Sequence, residues 1–356
     1  MQAKRVLALF PNFANGHVGG IQESARSAWA AIAANTQAEL LCYGRSDGRR
    51  FALHDSRLGT ILAAKSIKFD VDLAVVWQIG LLKLLPFVSG RPRKIALFLH
   101  GIEAWKEQDY LTERLCKRVD VFWTNSDYTW RRFIFFNPVV SDRSHRTVAL
   151  GLKKPVRPLK PPNAEFPITL MLSRLMKSED YKGHRELINA WPLVLARIPS
   201  AELWIVGGGD LAPELKTLAK NVGVSHKVKF WGKVSEEQKE RLIELSRCLA
   251  LPSRAEGFGL VYLEAMRLGR PCLVSNVDAG REVVNPPSAG LAADPNSLKE
   301  LSEAICRLIS DGEEWEQWSK LARERYEANF TVDCFQDRLL RECADITKAV
   351  RTNRGE

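Results

Sequence analysis

Short apolar runs alternate with helical patterns along this chain, and one proline-dense segment interrupts the alternation midway. Residues 5–10, 39–43, 72–77, 94–100 and 121–125 read as strands in the first half, with helices at 20–34, 110–117 and 127–136. After the interruption, residues 168–173, 203–206, 228–231, 248–251 and 272–275 read as strands, with helices at 184–198, 211–221, 236–246 and 260–268. A β-α alternation of this kind builds a parallel sheet with helices on both faces. The segment KKPVRPLKPPNAEFP, residues 153–167, carries five prolines and four basic residues and continues neither strand nor helix, so it reads as a linker. The expected architecture is α/β: one doubly wound domain over 1–152, a second over 168–333, and a last helix at 334–350 that crosses back to the first.

Length agrees, since 356 residues exceed one ordinary core and suggest about two domains. The first apolar run, residues 6–10, is far too short for a membrane span or a signal core. Seven dispersed cysteines with no CxxC pair favour free thiols in a reducing cytosol and argue against a structural zinc site. Residues 1–160 hold 25 Lys and Arg against 13 Asp and Glu, whereas residues 161–356 hold 27 against 29. The basic first half suits an anionic membrane, substrate or nucleic acid, or is simply a solvated surface. Nucleic acid is disfavoured because no recognisable binding module is present.

The most unusual local pattern is LPSRAEGFGLVYLEAMRLGRP, residues 251–271. It places Glu256 in the loop after a buried strand and Glu264 on the helix that follows. Ligands of open α/β sheets bind at that C-terminal edge. Arg174, directly after the first strand of the second domain, and Lys182, in MKSEDYKGHREL, belong to the same edge. Together they can meet a departing diphosphate, although each has an acidic neighbour, Glu179 or Asp180, as an alternative partner.

Other features carry less. Gly207-Gly208-Gly209 follows a strand and precedes a helix, where N–H groups can face an anion, but it lacks GxGxxG spacing and is equally a plain turn. Gly19-Gly20 opens the first long helix and carries the same two readings. His100 ends a strand before Gly101-Ile102-Glu103 and is a ligand-edge residue or a locally bonded one. Asp70-Val71-Asp72 matches a metal-nucleotide DxD but leads straight into a strand, which favours a polar strand entrance. No hydrolytic triad or HExxH pattern is present.

On LSRL…YKGHREL, WIVGGGD, FWGKVSEE and the 251–276 segment, the second half resembles the GT-B glycosyltransferases of family 4, which are retaining and use nucleotide sugars. Glu256 and Glu264 fit that family's EX7E motif. In the first half the resemblance rests on Gly19-Gly20, HGIE and TNSDYTWRRF. It implies two Rossmann-like domains facing a central cleft, and a nucleotide-sugar donor linked to GDP or UDP. By the same resemblance, Glu264 binds the ribose, and Glu256 with the Gly257, Phe258, Gly259 and Leu260 backbone holds the transferred sugar. Arg174 and Lys182 bind the diphosphate, and Gly19 and Gly20 assist at the phosphates. His100 lies beside the reacting sugar, and the base rests near Gly208, Lys233 and Val234. No metal or other cofactor is implied. Trp130, Arg131, Arg132, Phe133, Phe135 and Phe136 mix cations and aromatics at a helix end, which suits either an anionic membrane presenting a polyprenyl-diphosphate-linked or lipopolysaccharide-type glycan as acceptor, or core packing of the phenylalanines. Two rivals stay open: a sugar-nucleotide epimerase of the same fold, and a non-catalytic polyanion or glycan binder.

Overall fold

The computed structural model describes residues 5–11, 19–43, 57–67, 70–153 and 161–352. They fall into two units, Met1–Gly151 with Val332–Glu356, and Leu152–Thr331. Most of the proline-dense segment, residues 154–160, lies outside the described residues, as do residues 12–18 between the first strand and first helix.

The first unit is built from β1 (Arg5–Pro11), α1 (Gly20–Asn35), β2 (Gln37–Tyr43), α2 (Arg57–Ser66), β3 (Val71–Val76), β4 (Pro92–Leu99), α3 (Tyr110–Cys116), β5 (Val121–Thr124), α4 (Asp127–Phe136) and β6 (Ser144–Thr147). Its strands form one parallel sheet in the order β2-β1-β3-β4-β5-β6. Runs such as VLALF in β1 and IALFL in β4 are buried along their whole length, as expected of strands covered on both faces.

The second unit contains β7 (Ile168–Leu172), α5 (His184–Arg197), β8 (Glu202–Val206), α6 (Ala212–Asn221), β9 (Val228–Gly232), α7 (Glu236–Leu245), β10 (Cys248–Leu251), α8 (Leu260–Met266), β11 (Cys272–Ser275), α9 (Gly280–Val284), β12 (Gly290–Ala293), α10 (Leu298–Ile309) and α11 (Glu313–Asn329). The sheet is again parallel, ordered β12-β11-β10-β7-β8-β9. The chain then returns to the first unit as α12 (Val332–Thr352), where Gln336 Nε2 donates to the Ser27 carbonyl of α1 at 3.0 Å and Arg338 donates to the Ala149 carbonyl at 2.7 Å.

In each sheet one strand pairs with its successor on one side and with a later strand on the other. These topological switch points fall between β1 and β3 in the first unit, and between β7 and β10 in the second. Connections leave them in opposite directions, which opens a crevice beyond the strand ends.

Candidate active site

Lys182 and Glu256 follow the two strands that flank the second unit's switch point. Lys182 closes the 3₁₀ turn Lys177–Lys182 after β7, and Gly183 next to it has φ +89°. A Cβ at Gly183 would stand 2.6 Å from the Pro252 carbonyl oxygen, so only glycine allows this turn to press against the end of β10. The Arg254 N–H donates to the Tyr181 carbonyl at 2.9 Å and ties the two loops together. The Arg254 guanidinium adds bonds to Glu186 at 2.5 Å and to Asn296 at 2.8 Å. As a result Lys182 Nζ lies 3.2 Å from Glu256 Oε2, with both side chains largely buried. Burial opposes the Lys182 charge, but the Glu256 carboxylate, with Tyr181 and Glu179, outweighs it and raises the lysine pKa above its ordinary value. The site therefore presents a permanent ammonium and its counter-ion at the mouth of the crevice.

Eight residues on, Glu264 lies on α8. Its Oε1 accepts from Lys239 of α7 at 3.0 Å, and Lys239 also pairs with Glu236 at 2.7 Å. Glu264 Oε2 is buried with no hydrogen-bond partner among the described residues. A buried carboxylate oxygen left unpaired is costly, and a hydroxyl donor would satisfy it. Phe258 packs into the core, edge-on to Phe330 at 6.0 Å between ring centres. Gly257 and Gly259 flank it in the loop, and Leu260 begins α8.

The glycine run after β8 packs against the end of β7. A Cβ at Gly207 would lie 1.7 Å from the Ser173 carbonyl oxygen, and the residue has φ +141°, so this turn needs glycine on both counts. Gly208 borders the Lys233 side chain, whose Cγ would be 2.8 Å from a Cβ there, and the Gly207 N–H donates to the Gly232 carbonyl at 2.9 Å. Gly208 and the Lys233-Val234 segment are thus neighbours. Arg174 behaves differently: its side chain is 75% exposed and pairs with Glu179, the local partner foreseen as its alternative. Asp180 in turn pairs with Arg185 at 2.8 Å.

Residues 156–325 match the family described as glycosyl transferases group 1. The match takes in just under half of the chain. A GDP-mannose-dependent alpha-(1-6)-phosphatidylinositol monomannoside mannosyltransferase of Mycobacterium tuberculosis is 31% identical over 182 residues, 49% of this chain and 46% of the relative. The chain spans about half the length of the curated relatives it matches. Among solved structures, the sucrose-phosphate synthase of Thermosynechococcus elongatus superposes with a TM-score of 0.78 at 18% identity, covering 97% of this chain and 100% of the other. The Anabaena HepE protein in complex with UDP-glucose gives 0.73 at 18% identity, covering 96% and 99%. The fold is therefore GT-B.

The second unit holds the charged residues described above, and the first unit holds His100, Gly19 and Gly20. The His100 ring stacks on Phe98 at 4.6 Å, and its Nε2 lies 2.7 Å from the Trp77 carbonyl. A carbonyl only accepts, so Nε2 carries the proton and Nδ1 has the lone pair. Burial lowers the pKa of His100, against the Glu103 charge and the Trp77 carbonyl, so the ring is neutral. Asn125 Nδ2 donates to the His100 carbonyl at 2.7 Å, and the His100 N–H donates to Glu103 at 2.7 Å. Gly19 precedes α1 in an extended conformation, and its carbonyl accepts from the Glu23 N–H at 3.0 Å.

Asp72 sits at the opposite, N-terminal end of its sheet, where it accepts from the Arg5 N–H at 3.1 Å and faces Arg93 at 3.5 Å. That is a strand entrance. Two residues of the second unit escaped the motif search, Lys239 on α7 and Asp278 after β11. Neither belongs to a recognisable pattern, and the only sequence hint of either is its presence near a strand end or on a helix bordering the motif.

Proposed function

We propose that the chain is a retaining glycosyltransferase that moves a hexose from a nucleotide sugar to a glycan acceptor without requiring a metal. The observation that carries this is the Lys182–Glu256 pair at the switch point, with the buried, unpaired Oε2 of Glu264 eight residues on. Glu264 Oε2 would accept from a ribose hydroxyl, and the Gly208 and Lys233-Val234 backbone would border the base. As the sugar C1–O bond breaks, negative charge grows on the diphosphate, and Lys182 moves from Glu256 to meet it, joined by Arg174 once released from Glu179. Glu256 is thereby freed to accept from the sugar hydroxyls. The acceptor hydroxyl attacks C1 from the leaving-group face and passes its proton to the departing phosphate. Neutral His100, with its Nδ1 lone pair, is suited to accept a sugar hydroxyl rather than to donate a proton.

A thermal-shift panel of nucleotides followed by donor turnover tests this, beginning with GDP-mannose, which the mycobacterial relative's name specifies, and UDP-glucose, which HepE binds. A donor should raise the melting temperature and be turned over, and Lys182→Ala should lower turnover by about 10²- to 10³-fold. No shift and no turnover with any donor would reject the reading. Turnover that needs no acceptor would favour the epimerase.

For the acceptor we propose a lipid-linked glycan of the kind used in cell-surface polysaccharide assembly, met by a cytoplasmic protein lying peripherally on the inner face of the membrane. Phe133 belongs to the core, but Phe135 is 73% exposed, and Arg132 lies over the Phe135 and Phe136 rings at 5.9 and 5.2 Å. Among the described residues no helix is long and apolar enough to cross a membrane. Co-sedimentation with anionic vesicles should be retained at moderate salt and weakened by Phe135→Ser with Arg132→Gln. Failure of the wild-type chain to pellet with them would remove the membrane contact.

A further inference from the structure

The segment after β11 holds Glu256 by its main chain. Asp278 there is only 4% exposed. Its Oδ2 accepts from the Glu256 N–H at 3.0 Å and its Oδ1 from the Gly280 N–H at 2.9 Å. The Ala279 N–H donates to the Glu256 carbonyl at 3.1 Å, so both polar ends of Glu256 are gripped by one short segment. Gly280 makes room: a Cβ there would meet the Tyr262 hydroxyl at 3.0 Å and Asp278 Oδ1 at 3.1 Å. Tyr262 is fixed in turn, donating to the Leu251 carbonyl of β10 at 2.9 Å.

A carboxylate is an expensive choice for this position, because burial disfavours its charge. Among the described residues Asp278 forms no ion pair, since the ammonium of Lys182 goes to Glu256. What the carboxylate offers is two acceptor oxygens for two N–H groups, where asparagine or serine would offer one.

We propose that Asp278 is a positioning residue of this site: as a carboxylate, and only as one, it holds the Glu256 peptide where Glu256 and Lys182 can grip a sugar diphosphate. This rests on the transferase reading above. The charged and titratable groups facing Asp278 are Glu256, Lys182 from the turn after β7, and Tyr262 from α8. Burial, aided by the Glu256 charge, pushes the Asp278 pKa up to about 7 against its two amide hydrogen bonds and Lys182. Tyr262 stays a neutral phenol because burial raises its pKa well above the ordinary value. When Asp278 takes a proton, one oxygen becomes a donor and one N–H loses its partner. Stability runs the other way. A folded-state pKa above the unfolded value of 3.8 gives a contribution that is full below 3.8 and lost as pH rises through about 7. Activity should therefore fall on acidification through about pH 7 while Asp278 itself favours the fold; a merely structural role would make both fall together.

The experiment measures donor kcat, KM and melting temperature from about pH 6 to about pH 8.5 for wild type and Asp278→Asn. At the alkaline end Asp278→Asn should lower kcat about 10- to 100-fold, with donor KM changed no more than about threefold and the melting temperature within about 4 °C of wild type. The acid limb in kcat near pH 7 should disappear. A kcat within about twofold of wild type, or an unchanged acid limb, overturns the proposal. Should Asp278→Asn fail to fold, the wild-type profile decides: kcat must rise through about pH 7, and a flat profile rejects it. A wild-type chain that turns over no donor rejects the transferase reading and this inference with it, whereas wild-type turnover with an unaffected Asp278→Asn rejects this inference alone.

Discussion

The two units share six parallel strands and one switch point each, yet their ligand edges are built from different materials. At the second unit's edge every key side chain is charged: Lys182 with Glu256, Lys239 with Glu264, and the buried carboxylate of Asp278. At the first unit's edge one half-exposed carboxylate, Glu103, accepts from the His100 N–H at 2.7 Å, and the other polar groups are buried and neutral: His100 on the Trp77 carbonyl, Asn125 on the His100 carbonyl, and Trp77 Nε1 donating to Ser24 at 3.2 Å. Under the proposed function the second unit's edge would meet a diphosphate whose charge grows in a transition state, and the first unit's edge would direct hydroxyl groups. A shared fold therefore sets where the ligand lies, and the side chains at the strand ends set what it is.

The largest effects should come from separating the two glutamates of the charged edge. Under the proposed function Glu256→Ala removes the group that would face the reacting sugar, and should lower kcat about 10²- to 10³-fold with little change in donor KM. Glu264→Ala removes the buried, unpaired oxygen that would accept from a ribose hydroxyl under the same proposal, and should raise donor KM about 10- to 100-fold while kcat at saturation falls much less. Steady-state kinetics with donor varied measures both. Equal losses in kcat for the two variants would mean that the edge acts as one unit, and the division of labour would be lost.

How much of this edge the amino-acid sequence disclosed follows the same division. Glu256, Glu264 and Lys182 were legible because charges at strand ends have no role in a core, and their spacing stands out. Asp278 and Lys239 were not, since one acidic residue in a loop and one lysine on a helix are ordinary until their burial is known. Arg174 shows the converse, because its local partner Glu179 lies five residues away and the structure realises that contact. The strands tell a similar story. Most were found from apolar runs, often to within a residue, but β6 (SHRT) and β12 (GLAA) were missed. Both close the edge of a sheet, where one side has no neighbour and continuous bulky apolar sequence is not required. The last helix starts at Val332 rather than residue 334 because the apolar pattern marks its buried face and not its first turn.

A smaller effect should separate the units by pH. His100 is neutral in the fold because burial lowers its pKa, and burial likewise takes His145 down to about 4. The unfolded chain binds these protons below about pH 6.5, so the stability from both is present above that value and is lost on acidification. Glu342, raised chiefly by burial, offsets part of this in the same unit. In the second unit His184, also lowered to about 4 by burial, is opposed by Asp278, raised to about 7. Acidification from about pH 7 to about pH 5 should therefore weaken the first unit more than the second, as measured by urea unfolding followed through hydrogen exchange of peptides from each unit. Parallel loss in both would remove the electrostatic contrast.

The smallest effect tests an acidic pair of the first unit, Asp70 and Asp72. Asp70 and Asp72 have the spacing of a metal-nucleotide motif, but Asp72 is spent on the Arg5 N–H and on Arg93 at the N-terminal end of β3, away from the strand ends where ligands of such sheets bind. Among the described residues, no three His, Cys, Asp or Glu side chains are grouped to hold a metal ion. Half-exposed ion pairs of this kind contribute at most about 1 kcal/mol. Asp70→Asn with Asp72→Asn should thus lower the melting temperature by no more than about 4 °C and leave donor turnover within about twofold of wild type. A loss of about tenfold or more would place reaction chemistry at the wrong end of the first sheet, and the contrast between the two ligand edges would no longer describe this protein.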